Sequence, residues 1–130
     1  MDTPRTALII DDDAVLTELY RVKLARAGFQ VLLASDGAKA IALLSSGAKP
    51  DIILLDVVMP TMDGFAFLQE AKHKDIHLPP LIMFTSQQDD IDKMKSFALG
   101  ATEFVQKATA TPKEVLEKIE LLLGNKETSI

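Results

Sequence analysis

The sequence predicts an α/β domain, a doubly wound five-stranded parallel sheet with five helices, occupying the 130 residues as a single unit. Two observations carry that expectation. Short apolar segments alternate with longer stretches of helical spacing, as crossover helices covering both faces of a sheet require. Two of the short segments, "TALIID" (6–11) and "DIILLD" (51–56), are nearly continuous in Ile and Leu, as suits strands buried on both sides.

Each element follows in order. After the first strand (6–11), Leu16, Leu19, Tyr20, Leu24 and Ala27 recur at three- and four-residue steps, with Asp13 suited to the N-cap and Gly28 to the C-terminal stop. "FQVLLA" (29–34) is the second strand, and residues 37–46 form a helix ending near Gly47. Pro60 and Gly64 shape the loop after the third strand (51–56), and residues 64–73 form a helix carrying Phe65, Leu68 and Ala71. "LIMFT" (81–85) is the fourth strand. Residues 88–99 begin with Asp89 and Asp90 and carry Lys93 and Lys95 before Gly100, an order of charge that suits the helix dipole. "EFVQK" (103–107) is the fifth strand. "TPKE" (111–114) opens the last helix with Thr111 at the N-cap, Pro112 at the first helical position and Glu114 completing a capping box. Val115, Leu116, Ile119, Leu122 and Leu123 supply its buried face, and Gly124 ends it. The core thus spans about 6–124, with a polar tail "NKETSI" (125–130) expected to fray.

Composition narrows the possible functions. Hydrophobic residues make up 48%, ample for one core, and the net charge of −5 gives no footprint for direct nucleic-acid or membrane binding. With no cysteine, disulfides, thiolate metal sites and a cysteine nucleophile are excluded. Two histidines, His73 and His77, cannot build a three-histidine zinc site and are expected at the surface. The N-terminal residues lack a secretory profile, and no apolar run approaches the ~18 residues that span a bilayer, so the expected location is cytoplasmic.

In doubly wound sheets, ligands bind beyond the carboxyl ends of the strands. Here those ends carry Asp11 followed by Asp12 and Asp13, then Asp56, Thr85 and Lys107. Asp13 reads as a helix cap; the other carboxylates would repel one another unless a hard cation sat among them. Magnesium suits Asp11, Asp12, Asp56 and a main-chain carbonyl beyond Asp56, and the calcium-loop spacing of an EF-hand is absent. A carboxylate beside such a cation, a lysine and a hydroxyl is a nucleophile toward phosphorus. Magnesium, Lys107 and Thr85 would each face one phosphoryl oxygen. Two strand orders are compatible with five such strands.

The segments "LIIDDD" (8–13), "DIILLDVVMPTMDG" (51–64), "FTS" (84–86) and "FVQK" (104–107), in this order and at these separations, make the chain resemble a receiver domain of the two-component response regulators. The resemblance covers about 6–124 and implies the flavodoxin-like strand order 2-1-3-4-5. It implies that Asp56 accepts a phosphoryl group from a histidine kinase or phosphotransfer protein in a phosphorelay. It further implies magnesium held by Asp11, Asp12, Asp56 and the Val58 carbonyl, with Thr85 and Lys107 binding the phosphoryl group. Thr85 and Phe104 would form a switch that reshapes the face of the fourth helix, fifth strand and fifth helix toward an output protein or domain. Catalysis would be limited to self-phosphorylation and self-dephosphorylation. Val58 and Gln87 would flank the phosphate, and valine cannot orient a water, so slow phosphate loss is expected.

Two positions depart from the family pattern. Ala108 follows Lys107 where the family usually has a proline in a cis peptide. A cis bond before a non-proline residue costs roughly 3 kcal/mol, so the loop is expected to be trans, or strained, with Lys107 less firmly placed. Phe104 stands where a tyrosine is frequent, and it serves equally as a core residue. Three other classes compete: a degenerate receiver that binds partners without phosphate, a phosphatase passing through an aspartyl phosphate, and a flavin carrier. The last lacks a Ser/Thr/Gly-rich phosphate loop after the first strand. The chain is expected to be either a stand-alone receiver or one excised from a larger protein, the initial methionine and short tail slightly favouring the first.

Overall fold

The structure, a computed structural model, describes residues 4–86 and 89–124. Strands β1 (Thr6–Ile10), β2 (Gln30–Ala34), β3 (Ile52–Leu55), β4 (Leu81–Thr85) and β5 (Glu103–Gln106) alternate with helices α1 (Ala14–Arg26), α2 (Gly37–Ser45), α3 (Gly64–His73), α4 (Asp90–Ala98) and α5 (Pro112–Leu123). Every strand pairing is parallel, in the order β2-β1-β3-β4-β5. Of the two strand orders open to the sequence, this is the one the family resemblance implied.

Successive side chains in a strand point to opposite faces, and the sheet therefore feeds two cores. Leu8, Ile10, Ile53, Leu55, Leu81 and Met83 pack with α2 and α3. Ala7, Ile9, Ile52, Leu54, Ile82 and Phe84 pack on the other face with Tyr20 and Leu24 of α1 and Val115 and Ile119 of α5. All residues of β3 and β4 are buried, which is why those segments read as unbroken apolar runs.

Most boundaries fall within a residue of expectation, and the differences have local causes. Asp11, Asp56 and Lys107 lie one residue past their strands, each still donating its N–H to a neighbouring strand: to Ala34 (3.0 Å), Ile10 (2.9 Å) and Thr85 (2.9 Å). Phe29 belongs to the turn closing α1, where Gly28 adopts φ +98° and the Phe29 N–H donates to the Leu24 carbonyl. Asp89 is the N-cap of α4 rather than its first residue, accepting from the Ile91 N–H at 2.9 Å. Residue 88, expected in that helix, and the tail 125–130 lie outside the described residues. Leu19, one of the residues whose spacing predicted this helix, is 43% exposed. The buried stripe of α1 runs along Thr17, Tyr20 and Leu24, and Leu19 sits about 100° around the helix from Tyr20. The capping box of α5 forms as expected, with Pro112 at the helix start and Gly124 left-handed at its end. His73 and His77 are both exposed.

Candidate functional site

Ile10 of β1 pairs with Leu55 of β3, so the next residues, Asp11 and Asp56, emerge side by side. Both are buried, at 5% and 6% exposure, while Asp12 stands exposed at the rim. One carboxylate oxygen from each of the three lies within 4.8 Å of the others. Asp13 takes no part in this cluster. Its carboxylate accepts from the Val15 and Leu16 N–H groups (3.1 and 3.0 Å), capping α1, and its own N–H donates to Asp11 Oδ1 at 2.9 Å. The same turn thus starts a helix and fixes the rotamer of a site residue.

Lys107 closes the cluster from β5. Its Nζ lies 2.7 Å from Asp11 Oδ2 and 3.2 Å from Asp56 Oδ2. The Lys107–Ala108 bond, open between trans and strained in the sequence, is trans. Burial pushes the Asp11 carboxyl above its ordinary pKa, against the opposing pull of Lys107 and the Asp13 N–H. Burial also works against the Lys107 charge. The hydrogen bond and charge of Asp11, reinforced by Asp56, outweigh it and hold that ammonium above the usual lysine range. Lys107 is therefore a firmly charged group.

Three carboxylates facing one ammonium leave negative charge in excess. Asp56 Oδ1 is buried and has no hydrogen-bond partner among the described residues. A buried acceptor of this kind is costly unless something outside the protein completes it. Hard oxygen donors, excess negative charge and an orphaned inward oxygen fit a divalent cation bound through carboxylates.

The loop after β3 holds Asp56 by backbone contact. A Cβ at Gly64 would run into the Asp56 carbonyl oxygen and come within 3.0 Å of Val57 Cα, so glycine is required by space rather than by φ. The Gly64 N–H donates to the Val57 carbonyl at 2.8 Å. Further along the loop, the Gly37 N–H at the start of α2 donates to the Met62 carbonyl (3.1 Å), and a Cβ at Gly37 would stand 2.8 Å from that oxygen. Thr61 takes φ +67°, an uncommon conformation for a β-branched residue. Gly37 carried no functional reading in the sequence, and Met62 and Phe84, though inside the segments 51–64 and 84–86, were given no role of their own, because their contacts are to residues distant in the chain.

The other expected site residues fall as follows. Thr85 is fully buried at the end of β4 and shares the ladder bond with Lys107. Val58 sits exposed two residues past Asp56. Gln87 lies outside the described residues. Phe104, in register with Met83, is half-buried: it packs against the core on the α2–α3 side and also lines a groove of about 560 Å³ between α4 and α5. Lys93, Gln106, Val115, Lys118 and Leu121 share that groove. Among the described residues no helix is long and apolar enough to cross a membrane.

Comparison with known proteins bears on the whole arrangement. The family model described as "Response regulator receiver domain" matches residues 7–120. A probable transcriptional regulator, ycf27 of Guillardia theta, is 35% identical over 95% of this chain and 47% of its own length. Among solved structures, the chemotaxis protein CheY4 of Vibrio cholerae superposes with a TM-score of 0.83 at 28% identity, over 92% of this chain and 99% of that one. The receiver domain of a signal transduction histidine kinase from Syntrophus aciditrophicus gives 0.81 at 32% identity, over 97% and 96%. This chain spans about half the length of the curated relatives it matches.

Proposed function

This chain belongs to the family of response-regulator receiver domains, and from that premise we propose that it accepts a phosphoryl group on Asp56 and uses the event to change a partner-binding face. The observation that carries this reading is the setting of Asp56. It is a buried carboxylate with one oxygen held by Lys107 and the other without a hydrogen-bond partner among the described residues, inside a cluster of acids.

A carboxylate oxygen of Asp56 attacks phosphorus of a phosphohistidine on a kinase or phosphotransfer protein. The P–N bond breaks, its electron pair stays on the imidazole nitrogen, and that nitrogen takes a proton from solvent. Lys107, already beside Asp56, faces the charge that grows on the transferred oxygens, and the Thr85 hydroxyl donates to one of them. Asp11, Asp12, Asp56 and the Val58 carbonyl would hold magnesium, which when bound neutralises phosphoryl charge. Exposed apolar side chains flank the acidic mouth, Val15 on α1 at 83% and Val58 at 54%, and a donor helix would bury them.

The output reading follows from Thr85 and Phe104. A hydroxyl drawn toward the phosphoryl group leaves room that the Phe104 ring can enter. This empties part of the α4–β5–α5 groove and shifts the population between two packings. Catalysis stays confined to the domain itself. With valine at position 58, phosphate loss is slow; an hour-scale lifetime in purified protein is expected, and one of seconds would contradict it.

Beryllofluoride with magnesium, mapped by amide NMR, tests the whole reading. Shifts at Asp56, Thr85 and Lys107 that extend to Phe104 and α4 are expected. Shifts confined to the acids would remove the output face, and none at all would remove the site.

A further inference from the structure

Lys107 needs more than its ion pairs to be aimed. Lysine carries a flexible four-carbon stem, the residue after it is alanine, and among the described residues its backbone is tied to β4 by the bond to the Thr85 carbonyl. Both partners of its ammonium, Asp11 and Asp56, are groups that take on other work in the reading above. Once those carboxylates are shared with a cation and phosphorus, Nζ has to turn from them toward the transferred oxygens. One neighbour takes no part in that work. The Phe84 ring lies under the ammonium, its centroid 5.9 Å from Nζ, at the outer range of a cation–π contact.

That ring is itself fixed. Phe84 is 3% exposed, and the Tyr20 ring of α1 meets it edge-on, with centroids 5.2 Å apart and planes at 72°. Beneath Asp11 and Asp56, Leu16, Thr17, Tyr20, Leu54 and Phe84 enclose a void with no room for a water molecule. No water fits between these side chains while the ring is in place, so the face of Phe84 meets the ammonium directly.

We propose that Phe84, braced by Tyr20, is the positioning residue that directs the Lys107 ammonium toward the phosphoryl group on Asp56. The proposal rests on the phosphoacceptor reading and adds to it a part no strand-end residue supplies.

The test is a double-mutant cycle of Phe84→Leu with Lys107→Met, read as the rate of Asp56 phosphorylation by acetyl phosphate at saturating magnesium. Phe84→Leu should slow the reaction about 3- to 10-fold, leave magnesium affinity within about twofold, and have no further effect in the Lys107→Met background. Phe84→Tyr, which keeps the ring, should restore most of the rate. Tyr20→Leu, run through the same cycle, should give a smaller loss that likewise vanishes without Lys107. An equal loss with and without Lys107, or no loss, overturns the proposal. Should Phe84→Leu fail to fold, the Tyr20→Leu cycle decides. A separate readout divides this inference from the reading beneath it. The Lys107 ε-methylene protons should be shifted upfield by the ring in wild type and move downfield in Phe84→Leu. An unreactive wild type that keeps this ring shift would sink phosphorylation alone; a reactive wild type without it would sink the aromatic shelf alone.

Discussion

Replacing Asp56 by asparagine removes one charge from the cluster and keeps the shape of the side chain. The ligand oxygens of Asp56, Asp11 and Asp12 lie within 4.8 Å of one another. At an effective dielectric near 20, each such pair repels by about 3.5 kcal/mol, so Asp56 contributes about 7 kcal/mol of repulsion. The same substitution loses the attraction of Lys107 at 3.2 Å, about 5 kcal/mol on that scale. Repulsion wins by about 2 kcal/mol, and exposure of Asp12 screens part of it, leaving about 1–2 kcal/mol. In chelator-treated buffer Asp56→Asn should therefore melt about 3–8 °C above wild type. Added magnesium should narrow the gap, because wild type gains about 1.4 kcal/mol at ten times its dissociation constant while the variant gains less. Thermal melts followed by far-UV circular dichroism, with and without magnesium, give both numbers. A variant that melts at or below wild type in chelator would refute the crowded-acid description.

Other consequences follow from backbone and surface contacts. Gly64→Ala should lose about 1–3 kcal/mol in urea unfolding, because the added carbon meets the Asp56 carbonyl oxygen; a loss below a few tenths would mean the loop yields freely. Arg5 binds Glu120 through two hydrogen bonds (2.8 and 2.7 Å) and holds that carboxyl below the usual glutamate range. A depressed carboxyl stabilises the fold above its unfolded pKa, and that stability is lost as pH falls through the folded value. Glu120→Gln should thus cost about 0.5–1 kcal/mol at neutral pH, modest because the pair is partly exposed. It should cost nothing at strongly acid pH. A penalty that persists in acid would assign the effect to packing.

The strands and the acids were legible because burial and chemistry both write themselves locally. Ile52 to Leu55, buried on two faces, can only be apolar, and Asp56 follows them at once. Thr111, Pro112 and Glu114 spell a helix start whatever surrounds them. Strand ends on Asp11, Asp56, Thr85 and Lys107 become a site once the strands are parallel, which needs only the alternation of elements. What the sequence withheld depends on neighbours remote in the chain. The exposure of Leu19 is set by which stripe of α1 meets the sheet. The need for glycine at position 64 arises from the Asp56 carbonyl folding back over it, and that at position 37 from Met62. Phe84 reads as any core aromatic until Lys107 is seen above it and Tyr20 beside it. Phe104 was open between core and switch, and it touches both the core and a groove.

Intact-protein mass spectrometry after incubation with acetyl phosphate asks the plainest question of the acid cluster. Wild type should gain the mass of one phosphoryl group when magnesium is present, none when it is chelated, and none in Asp56→Asn under either condition. A gain of the same mass in Asp56→Asn, or in wild type without any divalent cation, would contradict the assignment of Asp56 as the acceptor in a cation-dependent site.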